Sequence, residues 1–373
     1  ILEFIFYEDE QLVTGLFTIN KSVSYYPSET RSIQLREWPP NLNLKITPSK
    51  YTLMTSSRLE KKEYSLRTDQ NGFMLPISKY DDPDVKLAFL GGSTTECLFI
   101  DENIRFPYFT SVLMKEQSGL NIETYNAAKS GNTSLHSINI LINKLFSISP
   151  DFVIMMHNFN DFSILLYFKN YWAATASRSN LEVNNINPTI NITRSIKNII
   201  MAFIPNTYRK VWELKENLLL QKNYNDEFST IRNSKLTFNI NHIHEEFKLS
   251  LKTFIDLSKT RALTPILMTQ ANRLISNPDT SLVEYKLLND SLTDLGLDYI
   301  EYKNMYDSMN DIIREVSLEN DILCIDLDRL VPSDSNFFYD LIHYTDKGSI
   351  LAASIISEHL NNKIKSRKIS PKN

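Results

Sequence analysis

Five short stretches between residues 85 and 327 most constrain what this chain can fold into: VKLAFLG (85–91), IETYNAA (122–128), DFVIMMHN (151–158), LTPILMTQ (263–270) and DILCIDL (321–327). A strand with one wet face alternates apolar and polar residues. Several of these runs are apolar almost throughout, as expected of strands covered on both faces. Patterns of helical spacing accompany them: FTSVLMKEQ after the first and SLHSINILINKLFSI after the second, HEEFKLSLKTFIDLSK before the fourth and EYKNMYDSMNDIIREVSLEN before the fifth. DKGSILAASIISEHLNNKI closes the chain's ordered pattern. Alternating strands and helices predict an α/β fold of three layers, a five-stranded, mostly parallel sheet with helices on both faces.

The interval between the third and fourth runs is too long for one crossover. Residues 162 to about 240 hold an aromatic stretch (FSILLYFKNYWAA), an asparagine-rich segment (SNLEVNNINPTINIT) and a further helical piece. This reads as an insertion on one end of the sheet, and both a structural appendage and a substrate lid fit it. Residues 1–80 contain short alternating runs such as SIQLRE, NLNLKIT and KKEYSLRT, broken by WPPN and TPSK. They predict a β-rich N-terminal extension with turns at the prolines, ahead of a main domain over 81–373.

The chain has 373 residues, 42% hydrophobic and 23% charged, and a net charge of −4. That balance is an ordinary globular one and argues against nucleic acid as the main partner, because phosphate binding needs a basic excess. Cys97 and Cys324, the two cysteines, are expected as buried free thiols, with no disulfide framework and no cysteine-based zinc site. No run approaches the ~18 continuous apolar residues of a membrane span, and no signal peptide is recognisable. The first residue is Ile1, so an upstream segment, a signal or an anchor, is expected to have been removed.

The first run ends in FLGGSTTE. A phosphate loop needs G-x-x-x-x-G-K-[ST] and a dinucleotide fingerprint needs G-x-G-x-x-G, and neither is present. The elbow G-x-S-x-G fails too, with Thr95 in place of its last glycine. Read alone, Ser93 is more readily a helix N-cap than a nucleophile. The third run, however, leads into MMHNFND, placing Asn160 where open α/β sheets hold their ligands. The second leads into NAAKSGNTS, and the loop before the last helix reads DLIHYTDKG. Asp340 and His343, three apart, can point the same way across a turn. Each fragment has a plain explanation as a turn or cap. Their succession in chain order does not.

These four fragments resemble the blocks of the SGNH (GDSL-type) hydrolases: GGST with Ser93, SGNTS with Gly131, NFND with Asn160, and DLIH with Asp340 and His343. The resemblance covers roughly residues 85–360, apart from the long insertion, and implies a flavodoxin-like α/β/α sandwich. Two positions depart from it. The second residue of GDS is Gly92 here, and Asn158 replaces the glycine of block III, so that the loop carrying Asn160 is expected to follow a different course. The segment SLRTDQNGFMLP (65–76) is similar, more loosely, to bacterial members with extracytoplasmic, polysaccharide-related roles.

The chemistry the resemblance implies needs these residue types. A hydroxyl becomes a nucleophile when a base takes its proton, and imidazole, with a pKa near ~6.5, can do so at neutral pH. His343 is then the base and later the acid, and Asp340 holds its tautomer. The oxyanion falls to the Ser93 and Gly131 backbone N–H groups and the Asn160 amide. The expected activity is a serine esterase removing small acyl groups, above all acetyl, from a carbohydrate, in an extracytoplasmic setting, with no metal or organic cofactor. An acyltransferase with the same triad, and a non-catalytic carbohydrate-binding protein on this scaffold, are the alternatives. His157 and Asn158 are weaker candidates for substrate contact, His157 reading more readily as a satisfied near-core histidine. His242 and His244 do not match H-E-x-x-H and read as a helix-start pair, and the aromatics of LLYFKNYW read as packing more than as a sugar platform.

Overall fold

The computed structural model describes residues 17–19, 34–172, 181–182 and 235–366. Most of the sequence-expected insertion lies outside the described residues. Among the described residues ten strands run in chain order: β1 (Phe17–Ile19), β2 (Gln34–Leu35), β3 (Asn43–Pro48), β4 (Tyr64–Arg67), β5 (Val85–Gly91), β6 (Ile122–Asn126), β7 (Phe152–Met156), β8 (Leu181–Glu182), β9 (Thr264–Met268) and β10 (Leu323–Ile325). The major helices are α1 (Phe106–Ser118), α2 (Ser134–Ile140), α3 (Phe159–Phe168), α4 (Ile240–Thr260), α5 (Val283–Leu295), α6 (Tyr299–Glu319) and α7 (Asp346–Ser366).

The five apolar runs form one sheet in the order β10-β9-β7-β5-β6, and every neighbouring pair in it is parallel. Numbered along the chain within this sheet, the order is the flavodoxin-like 2-1-3-4-5. Both faces are buried, which is why the runs do not alternate in polarity. Leu87, Phe89, Ile154 and Met268 face a core shared with Phe106 and Met114 of α1 and Ala353 and Ile356 of α7. Ala88, Leu90, Val153 and Leu267 face the opposite core, built with Ile138, Phe162, Phe247, Phe254, Tyr306 and Ile313 of α2, α3, α4 and α6.

Three features alter or add to the sequence expectations. Residues 162–168 belong to α3, whose Phe162, Ile164, Leu165 and Leu166 are buried, so the core helix runs on past the expected start of the insertion. Helix α5 was not anticipated, although Leu288, Leu292 and Leu295 give it a buried face. The N-terminal region does contain an antiparallel sheet, in the order β1-β3-β4, with β2 paired to β8. This extension also packs on the main domain. Trp38, Leu42, Ile46, Tyr64 and Leu66 share a third core with Leu98, Phe99 and Tyr339, next to the loops at the sheet's C-terminal edge.

Phe106 joins these parts. It is fully buried, edge-on to Phe89 of the central strand at 5.9 Å and to Tyr344 at 6.1 Å. Phe106→Ala is expected to cost ~3–5 kcal/mol in urea unfolding, the range for a buried aromatic leaving a cavity. A loss below about 1 kcal/mol would mean that the site can collapse and that the sheet does not depend on this contact.

Candidate active site

In a 2-1-3-4-5 sheet the chain leaves the central strand in one direction and returns on its other side, so the loops after β5, β6 and β7 part over a crevice. The sequence-selected residues follow these strands. β5 ends at Gly91 and is succeeded by a single helical turn, Ser93–Glu96. The N-cap of this turn is Gly92, not Ser93, and no side chain caps it. The expectation of a capping serine is corrected here: the Ser93 hydroxyl lies 2.8 Å from His343 Nε2.

His343 lies on a loop pinched by an antiparallel bridge between Phe338 and Tyr344. Within this loop Asp340 divides its carboxylate. Oδ1 accepts the backbone N–H groups of Ile342 (2.9 Å) and His343 (2.8 Å), an Asx-type turn, while Oδ2 lies 2.6 Å from His343 Nδ1. Burial alone would raise this carboxyl. The His343 charge and the hydrogen bonds from the ring and the two backbone groups outweigh it and hold Asp340 below the ordinary carboxylate value. An ionised carboxylate only accepts, so Nδ1 carries the proton and Nε2 presents its lone pair to Ser93.

Two supports fix the loop. The Tyr339 ring stacks on the imidazole with centroids 5.3 Å apart and planes 9° from parallel. Arg273 donates its backbone N–H to Leu341 O at 2.7 Å and Nη1 to Asp340 O at 3.3 Å, and is itself paired with the buried Glu284 at 3.0 Å.

Asn160 is in the first turn of α3, and its Nδ2 donates to Asn132 O at 3.0 Å. It packs against block I where the chain departs from the resembled pattern. A Cβ on Gly92 would stand 2.5 Å from Asn160 Nδ2, so the missing side chain is what admits the amide. Gly131 has φ +77°, the left-handed region open to glycine. The structure thus brings Ser93, His343 and Asp340 into one hydrogen-bonded chain, and brings Asn160 and the Gly131 loop together through Asn132.

His157 and Asn158 do not join them. His157 is buried, with Nε2 2.7 Å from Ser137 Oγ and Nδ1 3.5 Å from Asp161 Oδ2. Burial lowers its pKa against the pull of Asp161. The Ser137–His157–Asp161 order imitates a triad, but all three are buried in the fold. Asp161 also accepts the Ser134 N–H at 3.0 Å and Tyr171 Oη–H at 2.7 Å, as a structural node would. Asn158 is fully buried and donates to Tyr306 O at 3.1 Å. Substrate contact is withdrawn for both. His242 and His244 use separate partners, Lys169 O and Ser308 Oγ, each at 2.8 Å. Among the described residues no helix is long and apolar enough to cross a membrane.

Sequence reasoning missed Glu96, Trp38, Arg36 and Asn132. Glu96, three residues after Ser93, is fully buried and accepts Trp38 Nε1–H at 2.6 Å and the Ser130 hydroxyl. Burial raises its pKa, and the bonds from Ser130 and Trp38 and the Lys129 charge only partly oppose this. The one available signal was a carboxylate on a helical turn between a buried strand and the apolar CLFI.

No protein-family model and no curated protein matches this sequence. Solved structures that this chain matches include three from different sources. An acetylxylan esterase from Geobacillus stearothermophilus is 14% identical, with a TM-score of 0.42 over 74% of this chain and 94% of that one. A lipase/acylhydrolase from Enterococcus faecalis is 13% identical, with a TM-score of 0.43 over 78% and 99%. An alpha/beta hydrolase from the metagenome of Lake Arreo, Spain, is 14% identical, with a TM-score of 0.42 over 74% and 94%.

Because Glu96 has a higher pKa in the folded state, the fold holds a proton that the unfolded chain loses near pH ~4.3, and stability falls as pH rises through that window. Glu96→Gln is expected to remove this slope. In urea unfolding across pH, the wild type should lose stability relative to the variant from about pH 4.3 upward. Parallel curves would show that Glu96 ionises alike in both states.

Proposed function

We propose that this chain is an SGNH-type serine ester hydrolase that works through an acyl-enzyme. One observation carries the reading: the unbroken chain from Ser93 Oγ to His343 Nε2 (2.8 Å) and from His343 Nδ1 to Asp340 Oδ2 (2.6 Å), at the C-terminal edge of a sheet whose strand order reverses there. The buried Ser137 chain lacks that position.

In the proposed reaction His343 Nε2 takes the Ser93 proton as Oγ attacks the ester carbonyl carbon. The resulting oxyanion is received by the Ser93 and Gly131 N–H groups and the Asn160 amide. Collapse breaks the bond to the alkoxide, which leaves with the proton from His343. Water, deprotonated by the same nitrogen, attacks the acyl-enzyme and releases the acid and free Ser93. Asp340, held ionised, stabilises the imidazolium in both halves.

Ser93 is 8% exposed, which favours a small acyl group such as acetyl. A carbohydrate as the alcohol half, and an extracytoplasmic setting, are supported by the likeness of residues 65–76 to polysaccharide-related members.

The test is turnover of p-nitrophenyl acetate. The wild type is expected to release nitrophenolate, with Ser93→Ala reduced to background and Asn160→Ala slowed about 10²–10³-fold, the usual effect of losing one oxyanion donor. Turnover by Ser93→Ala at the wild-type rate would sink the reading. Time courses with an added acceptor sugar separate hydrolysis from transfer.

A further inference from the structure

The arm at residues 36–38, far in sequence from every block of the site, is built around the loop that carries Gly131. Arg36 is 3% exposed. Its Nη1 donates to Ser130 O and to Asn132 Oδ1, both at 2.6 Å, and Asn132 Nδ2 returns a bond to Arg36 O at 3.3 Å. The guanidinium therefore grips the residue on each side of Gly131. It also fills the space above it: a Cβ on Gly131 would stand 2.9 Å from Arg36 Nη2. The next two residues of the arm reach the same loop, through Lys129 Nζ to Glu37 O at 2.9 Å, and through Trp38 to Glu96, which in turn holds the Ser130 hydroxyl.

The consequence follows from peptide geometry. Ser130 C=O and Gly131 N–H are the two ends of one planar trans peptide and point in opposite directions. Whatever holds that carbonyl aims that N–H. A charged donor on the oxygen also polarises the peptide and strengthens the opposite N–H as a donor. Asn132, whose side chain Arg36 holds, carries the carbonyl that receives Asn160 Nδ2. Both oxyanion donors other than Ser93 thus trace back to one side chain.

We propose that Arg36 is a positioning residue for the oxyanion hole, aiming the Gly131 N–H through Ser130 O and the Asn160 amide through Asn132. This rests on the function proposed above. Donors aimed at an oxyanion act in the transition state and little in the ground state, so their misalignment lowers kcat and leaves KM in place.

Arg36→Ala, assayed on p-nitrophenyl acetate with its fold checked by near-ultraviolet circular dichroism, is expected to lose about 10- to 100-fold in kcat. This is less than outright loss of a donor, because the groups are misaimed and not removed. KM should stay within about twofold. Millimolar guanidinium should restore several-fold of the lost kcat, with no gain in wild type or Ser93→Ala. A folded Arg36→Ala with wild-type kcat, a loss carried by KM, or a loss that guanidinium leaves untouched overturns the proposal. Should Arg36→Ala not fold, Arg36→Lys keeps the charge without the planar fork. A partial kcat at unchanged KM is then expected, and wild-type kcat overturns it. Ser93-dependent turnover indifferent to Arg36 sinks this inference alone, whereas turnover indifferent to Ser93 sinks the proposed function.

Discussion

The site depends on the pairing of β5 between β6 on one side and β7 on the other, all parallel and all buried. Parallel strands end at one edge of the sheet, so the loops after them share a neighbourhood whatever their separation in sequence. The reversal of strand order at β5 then parts those loops and leaves Ser93 at the crevice. Everything polar at that edge is held by a framework that is apolar on both sides.

Such a framework makes unpaired polar groups costly, and the loops answer this locally. Asp340 uses both oxygens, one on backbone N–H groups and one on His343, so the same bonds that satisfy it also orient the imidazole. Glu96 takes Trp38 and Ser130, and Asp161 takes Ser134 and Tyr171. Three buried carboxylates thus tie three loops, but Asp340 belongs to the chain that ends on a serine at the crevice. The Asp161 chain ends on Ser137, within the fold. Similar side chains in similar order have different prospects because of where the sheet puts them.

The fold and part of the site were legible in the sequence for physical reasons. Burial on both faces writes a strand as a continuous apolar run, and all five runs contain the strands of the central sheet. Ser93, Asp340 and His343 were legible because each stands at a fixed offset from a strand end or from its partner. Arg36 was not, because its partners Ser130 and Asn132 are 94 and 96 residues away and no local pattern marks the contact. The same long-range packing turned an expected β-rich extension into a wall of the site. Read alone, FLGGSTTE is the sequence of a helix start, and it is the later blocks that mark Ser93 as more than a cap. In the structure Gly92 takes the cap, and the Ser93 hydroxyl meets the distant His343.

The central claim is that a strand-end serine, and no other, is made nucleophilic by His343. Treatment with a serine-directed fluorophosphonate followed by peptide mass spectrometry tests it directly. The account predicts one adduct per chain, on the peptide containing Ser93, and its loss in His343→Ala. An adduct on Ser137 or any other serine, or labelling of Ser93 that persists without His343, would contradict it.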